Sequence, residues 1–346
     1  MADAKLITIV GGGLAGLTLG IGLRQRDVPV VIYEAGNYPR HRVCGEFISG
    51  RGQGTLARLN LRELLEQAGA VSAQTTAFFS TTKSTIPRAL PSSAIGLSRF
   101  TLDAALLSRF RELGGELLEG KRFAGDFGDG IVRATGRRAQ AEESGLRWFG
   151  LKIHARKVAL AADLEMHVSP LGYVGLCKIN GGEVNVCGLF RKHADDNSES
   201  KNWRELLRGQ PGSPLRQRLA NAGFDENSFC AVAGLSLRPH QAVSRAEICV
   251  GDAITMIPPV TGNGMSMAFE SAELATAPLA GWSRGESSWN EARQQIARHC
   301  DAIFVRRLAW AKWLQRIILT PALQNPLVAL AGRSDWFWRM AFGRTR

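Results

Sequence analysis

Paired cysteines are missing from this chain. Its 6 cysteines (Cys44, Cys177, Cys187, Cys230, Cys249 and Cys300) stand singly, and none belongs to a C-x-x-C pair. Without a secretion signal they read as free thiols in a reducing compartment, so neither a disulfide framework nor a metal site is expected. The first thirty residues lack the basic start and small-residue cleavage site of a signal peptide. No uninterrupted apolar run reaches the ~18 residues that suggest a membrane span. A cytoplasmic protein is therefore expected. Internal repeats and low-complexity tracts are absent. So are nucleic-acid motifs and lysine-rich arms, which directs the net charge of +12 towards anionic cofactors, anionic substrates or a membrane surface.

What is present suits a large soluble fold. With 45% hydrophobic and 21% charged residues, a chain of 346 residues can bury a sizeable core. At roughly 100–200 residues per domain it makes one large domain or two interleaved ones. Its 38 glycines slightly exceed the usual ~7% and fit several tight turns.

The N-terminus has the clearest pattern. A short β-rich run, Lys5 to Val10, leads into Gly11-Gly12-Gly13-Leu14-Ala15-Gly16. A helix at Leu/Ala/Gly spacing follows to Leu23, then a second apolar run from Val28 to Tyr33 that ends at Glu34-Ala35. Strand, glycine turn, helix, strand and acid make a dinucleotide-binding βαβ unit. In G-x-G-x-x-G the first glycine permits the turn, the second lets a pyrophosphate approach, and the third lets helix and strand pack closely. The helix N-terminus offers free N–H groups to the phosphates, and Glu34 offers a carboxylate to a ribose. This pattern does not separate NAD from FAD.

Further along, a helix is expected over 55–68, short strands and loops over 72–96, and a helix over 101–114. A hairpin turn is expected at 128–130, and an antiparallel sheet over 147–190. After a helical and then loop-like stretch over 201–222 comes a strand at 248–250. A helix from Ser266 is expected to end at Pro278, and a long one to span 290–319.

The strand at 248–250 runs into Gly251-Asp252-Ala253, then Pro258-Pro259-Val260-Thr261-Gly262-Asn263-Gly264-Met265 and a helix. This arrangement resembles the G-D box and P-x-x-G-x-G segment of FAD-dependent monooxygenases and the geranylgeranyl reductase family. Arg42 and Cys44-Gly45-Glu46, Arg99 ahead of Leu102-Asp103, and Ala134-Thr135-Gly136 follow the same family order. The resemblance covers residues 5 to about 280 and rests on the order of the boxes. It implies an FAD-binding Rossmann-like, glutathione-reductase-type α/β domain interleaved with an antiparallel β-sheet substrate domain and C-terminal helices. Residues 1–72, 97–158 and 246–280 would form the FAD domain, 73–96 and 159–245 the substrate domain, and 281–346 the closing helices.

It also implies non-covalent FAD. Gly11, Gly13, Leu14, Ala15 and Gly16 would hold the pyrophosphate, with Glu34 and Ala35 at the ribose. Arg42, Cys44, Gly45, Arg99, Thr135 and Gly136 would line the cofactor. Gly251 would bind the cofactor beside Asp252, which would bond the ribityl chain, and Gly262, Asn263, Gly264 and Met265 would lie against the isoalloxazine ring. The implied reactions are oxygenation of a hydrophobic lipid-, polyketide- or isoprenoid-like substrate, or saturation of a carbon–carbon double bond. A non-catalytic flavin-binding membrane protein is the remaining class.

There are departures. The Ala-Asp-Gly segment that many of these flavoproteins link to NADPH is absent from 137–150, which argues against NAD(P)H as direct donor and for a separate reductase. The tryptophan halogenase motif W-x-W-x-I-P is absent, which argues against halogenation. A second G-x-G-x-x-G is also missing.

Catalytic residues are weakly marked. Lys152 and His154 share one face of a strand, either in a substrate cavity or on a solvated edge. Glu46 reads equally as an acid–base group or a turn carboxylate, and Cys44 as flavin-facing or inert. Residues 301–346 hold Arg306, Arg307, Lys312, Arg316, Arg333, Arg339, Arg344 and Arg346 against Asp301 and Asp335, together with Trp310, Trp313, Trp336 and Trp338. That mixture suits either a helical cap over the substrate domain or peripheral contact with an anionic bilayer.

Overall fold

A computed structural model describes residues 4–137, 145–193, 195 and 202–344. Five parallel strands form the first sheet, in the order Ile248–Cys249, Ile131–Arg133, Ile7–Val10, Val30–Glu34, Glu116–Glu119. The helix Leu14–Arg24 is buried from Leu14 to Leu23, because it lies between this sheet and the helix Gly264–Ser283. That explains an apolar run with no polar face.

Eight strands form the second sheet, in the order Gly223–Ala233, Leu146–Arg156, Val184–His193, Gly172–Lys178, Leu164–Ser169, Val71–Phe79, Arg88–Gly96, Phe47–Ile48. All neighbours are antiparallel except Val71–Phe79 beside Leu164–Ser169. Leu151, Ile153 and Ala155 pack into a core beneath the short helices Trp203–Arg208 and Pro214–Arg218. Gly150, Lys152 and His154 alternate with them and face the other way.

Several expectations change. The cofactor unit was expected to run to 158, but Leu146–Arg156 pairs on both sides within the larger sheet and belongs to it. The single helix over 55–68 is two, Arg51–Arg58 and Arg62–Gln67, because Asn60 turns left-handed at φ 54°. Residues 72–96 are mostly two nine-residue strands rather than short pieces. Pro278 does not end its helix, which continues to Ser283 with Pro278 buried inside; packing against Leu14–Arg24 and Trp289–Ile318 outweighs the lost hydrogen bond. Within the stretch 137–150, residues 138–144 lie outside the described residues.

The C-terminal part is a cap. Trp289–Ile318 starts at a Ser288–Glu291 capping box, and Pro321–Arg333 and Asp335–Arg344 fold back over the larger sheet. Arg307, one of the basic residues of this segment, is buried and bonds both oxygens of Glu270 at 2.9 and 2.8 Å.

Candidate cofactor and substrate site

The glycine turn divides its labour. Gly11 sits at φ +112°, where any side chain would collide with the Ala134 carbonyl, and a side chain at Gly16 would collide with the Gly11 carbonyl. These two glycines serve the backbone. A Cβ on Gly13 would meet nothing within 4 Å, so Gly13 opens onto free space. Gly13 is also the N-cap of Leu14–Arg24 and no side chain caps that helix, so its first N–H groups remain free for a ligand. The Gly264–Ser283 helix likewise has no side-chain cap at Asn263.

Both helix starts border one cavity of about 790 Å³. Gly11, Gly13, Leu14, Ala15, Glu34, Ala35, Arg42, Cys44, Gly45, Arg99, Thr135, Gly136, Gly251, Asp252, Gly262, Gly264 and Met265 line it, as do Glu46 and His41. Gly16 and Asn263 are not in its wall; Asn263 is buried at the helix start.

Charged groups are arranged around this cavity. Glu34 accepts from the Gly12 amide at 3.0 Å and the Gly36 amide at 2.8 Å, and Arg40 lies 2.6 Å away. Burial would raise its pKa, but the Gly36 amide and Arg40 outweigh it and hold it below the usual carboxylate range. Arg99 lines the cavity, but Asp103 grips its guanidinium at 2.7 Å through two nitrogens, so it is a braced group rather than a free arm. Arg42 lies 3.5 Å from Asp103. Burial lifts the Asp252 carboxyl to about 6.

The weakly marked residues come together. Glu46 adopts φ 54°, a left-handed conformation that is costly for a non-glycine residue, and its side chain is wholly buried. One carboxylate oxygen accepts the Arg99 amide at 2.8 Å and lies 3.3 Å from Lys152; the other is 2.6 Å from His154 Nε2. Lys152 reaches His41 Nδ1 at 3.1 Å, and His154 Nδ1 lies 3.3 Å from Glu183. Burial would raise Glu46, but the His154 bond and the Lys152 charge together hold it low. His41 is pushed down by burial and by Lys152.

Lys152 and His154 are thus buried in a charged network behind the cavity wall, not on a solvated edge. His41 and Glu183 escaped the sequence reading because their partners are distant in the chain, Lys152 lying 111 residues from His41. Cys44 is a half-buried thiol whose pKa is raised by desolvation, which disfavours a thiolate nucleophile.

A second cavity of about 320 Å³ lies against the first. Its wall is largely apolar, with Phe78, Met166, Leu189, Leu235, Leu314 and Val328 among its residues. The two cavities share Cys44, Gly45, Phe47, Asp252, Met256 and Gly262. The cap helices close it through Leu327, Trp338 and Phe342.

Several solved flavin-dependent enzymes share this fold. The flavin-dependent brominase Bmp2 shares it with a TM-score of 0.79 at 16% identity, over 99% of this chain and 94% of that one. The myxobacterial chondrochloren halogenase CndH, an FAD-dependent halogenase, aligns with a TM-score of 0.73 at 18% identity, over 99% and 91%. PqsL, a probable FAD-dependent monooxygenase from Pseudomonas aeruginosa, aligns with a TM-score of 0.70 at 15% identity, over 94% and 99%. A model for an NAD(P)-binding Rossmann-like domain matches residues 9–47. No curated protein matches the chain. Because halogenases and a monooxygenase share the architecture, the missing W-x-W-x-I-P motif does not by itself decide between those reactions.

Proposed function

We propose that this chain is an FAD-dependent monooxygenase acting on a hydrophobic, lipid-, polyketide- or isoprenoid-like small molecule. The observation that carries this reading is the shared wall between the 790 Å³ cavity, where the charged groups are arranged, and the 320 Å³ apolar one. A substrate in the second would touch a cofactor in the first, as direct transfer requires.

The residues fit FAD. Gly13 leaves room for a pyrophosphate at an uncapped helix start, and Glu34 stands at the end of the second strand to take a ribose. Asp252, half-buried and raised to about 6, gains from hydroxyl donors such as those of a ribityl chain. FAD held here would, once reduced by an external electron donor, supply the two electrons with which dioxygen is divided between product and water. The apolar walls exclude bulk water from the reacting groups.

The same contact would serve saturation of a carbon–carbon double bond, and isotope labelling separates the two. FAD-loaded protein, photoreduced so that no particular donor is needed, is mixed with ¹⁸O₂ and a panel of apolar aromatic, polyketide and isoprenoid compounds. A product carrying one ¹⁸O atom is expected. A product with two added hydrogens and no label, or quantitative hydrogen peroxide with every compound, contradicts oxygenation. Delivery of electrons by a separate reductase belongs to this proposal.

Peripheral membrane contact remains a proposal as well, in a changed form. Among the described residues no helix is long and apolar enough to cross a membrane. Arg307 and Trp338 belong to the cap, whereas Trp313, Leu323, Leu330 and Trp336 are exposed, as are Arg306, Lys312 and Arg316. At ~1 kcal/mol per basic residue, replacing Arg306, Lys312 and Arg316 by Gln is expected to weaken binding to phosphatidylserine vesicles by roughly 100-fold at low salt. Equal co-sedimentation of both proteins contradicts membrane contact.

A further inference from the structure

Two glycines, Gly45 and Gly262, stand in the wall that the two cavities share. They are glycine for different reasons. Gly262 sits at φ +64°, in the left-handed region, and a Cβ there would press on the Phe47 ring at 3.1 Å. Its backbone alone accounts for it. Gly45 has neither reason. Its φ lies outside the left-handed region, and a Cβ there would meet nothing within 4 Å. It is exposed, although Glu46 and Phe47 beside it are buried. Both cavities border it, so the open space in front of it is their junction. Gly13 also opens onto free space, but it borders the cofactor cavity and not the apolar one. The backbone on either side of Gly45 is pinned. The Cys44 carbonyl accepts from Asn185 Nδ2 at 2.9 Å, and the Leu97 amide donates to the Glu46 carbonyl at 3.2 Å. Glu46, left-handed at φ 54°, is held there by the Arg99 amide, Lys152 and His154. Such strain persists where the surroundings over-determine it, and it gathers at ligand sites.

We infer that Gly45 is the window through which a molecule in the apolar cavity reaches the cofactor, and that it sets how closely the two approach. A glycine lets backbone come against a ligand with no side chain between them. This rests on the shared wall being the place of transfer. A valine at this position would insert a layer of carbon between the two occupants, about one van der Waals contact or ~3.5–4.0 Å thick. Misplacement of reacting groups by only about 1 Å is already costly to transfer. The window explains why an ordinary backbone conformation with open space before it carries no side chain, and why so many bonds hold the residues on either side.

Naphthalene, an apolar aromatic probe, tests the inference. Its binding to FAD-loaded wild type, Gly45→Ala and Gly45→Val is measured by calorimetry, and its contact with the cofactor by the change it causes in the flavin absorption spectrum. The wild type is expected to bind naphthalene and to show the spectral change. Gly45→Val is expected to melt, as apoprotein, like the wild type and to keep FAD within about tenfold of wild-type affinity. It should still bind naphthalene, with a spectral change about tenfold smaller. Gly45→Ala should fall between the two. A full spectral change in Gly45→Val overturns the window. Loss of either FAD or naphthalene binding in that variant overturns it too, since the side chain would then lie within one cavity rather than between them. An apoprotein that melts far below wild type contradicts the open space at Gly45, with the same consequence. Wild-type protein that binds no naphthalene, or binds it with no spectral change, overturns the shared wall itself and the window with it. None of these results bears on whether the protein oxygenates, which the ¹⁸O experiment reads separately.

Discussion

Gly13→Val is expected to give a folded protein that no longer holds flavin. The two halves of this result have separate causes. Nothing lies within 4 Å of a Cβ at Gly13, and its φ of −79° with ψ of −171° suits a β-branched residue, so the fold has no reason to change. The space that the valine fills is where a pyrophosphate would meet the free N–H groups of Leu14–Arg24. Displacing it costs those charge-assisted bonds and adds a collision. A loss of at least about 100-fold in FAD affinity is expected, or ~2.8 kcal/mol, with a melting temperature of the apoprotein within about 2 °C of wild type. Gly11→Val and Gly16→Val should behave differently, since each drives a side chain into a backbone carbonyl and should destabilise the fold itself. If apo Gly13→Val melts far below wild type, or binds FAD as tightly, the assignment of Gly13 to the cofactor fails.

Glu46→Gln is expected to be among the most destabilising isosteric changes in the molecule. The substitution keeps shape and backbone but removes the charge that faces Lys152 and His154. Lys152 is fully buried, and His41, its other contact, is pushed towards the neutral form. Breaking such a buried pair leaves a charge uncompensated and costs about 3–5 kcal/mol. The pH dependence gives a second signature. Glu46 is held below its unfolded pKa, so the unfolded chain binds more protons in the acid range and stability rises with pH there. The stabilisation is full above the ordinary carboxylate value and is lost as pH falls through the lowered one. Glu34, Asp163, Glu165 and Glu273 are also lowered, Asp163 to about 2, so the wild type keeps an acid limb from several groups. The difference between wild type and Glu46→Gln isolates one of them. Urea unfolding at neutral pH and near pH 4 should show that difference shrinking as pH falls. A difference that stays constant with pH would contradict a charged Glu46.

The legibility of the chain follows from the range of its interactions. The βαβ unit is local: a strand, a glycine turn, a helix and Glu34 follow one another, so residue type and spacing state the geometry. Gly251-Asp252 and Gly262 to Met265 are legible for the same reason. Lys152 and His154 were paired by the period of two along a strand, but whether their face was wet or buried depended on Glu46, about a hundred residues earlier. Pro278 misled because a local rule about helix ends was overridden by packing on both sides of its helix. The apolar cavity had no local signal. It is closed by Leu314, Trp338 and Phe342, residues of the C-terminal helices that composition marked only as basic and rich in tryptophan. Arg307 was legible as a charge but not as the buried partner of Glu270.

The most direct test of the account is the flavin content of the wild-type protein. Purified protein supplied with FAD and NAD, then denatured, should release one equivalent of unmodified FAD per chain and no NAD. A colourless protein that takes up no FAD and binds NAD tightly would contradict it.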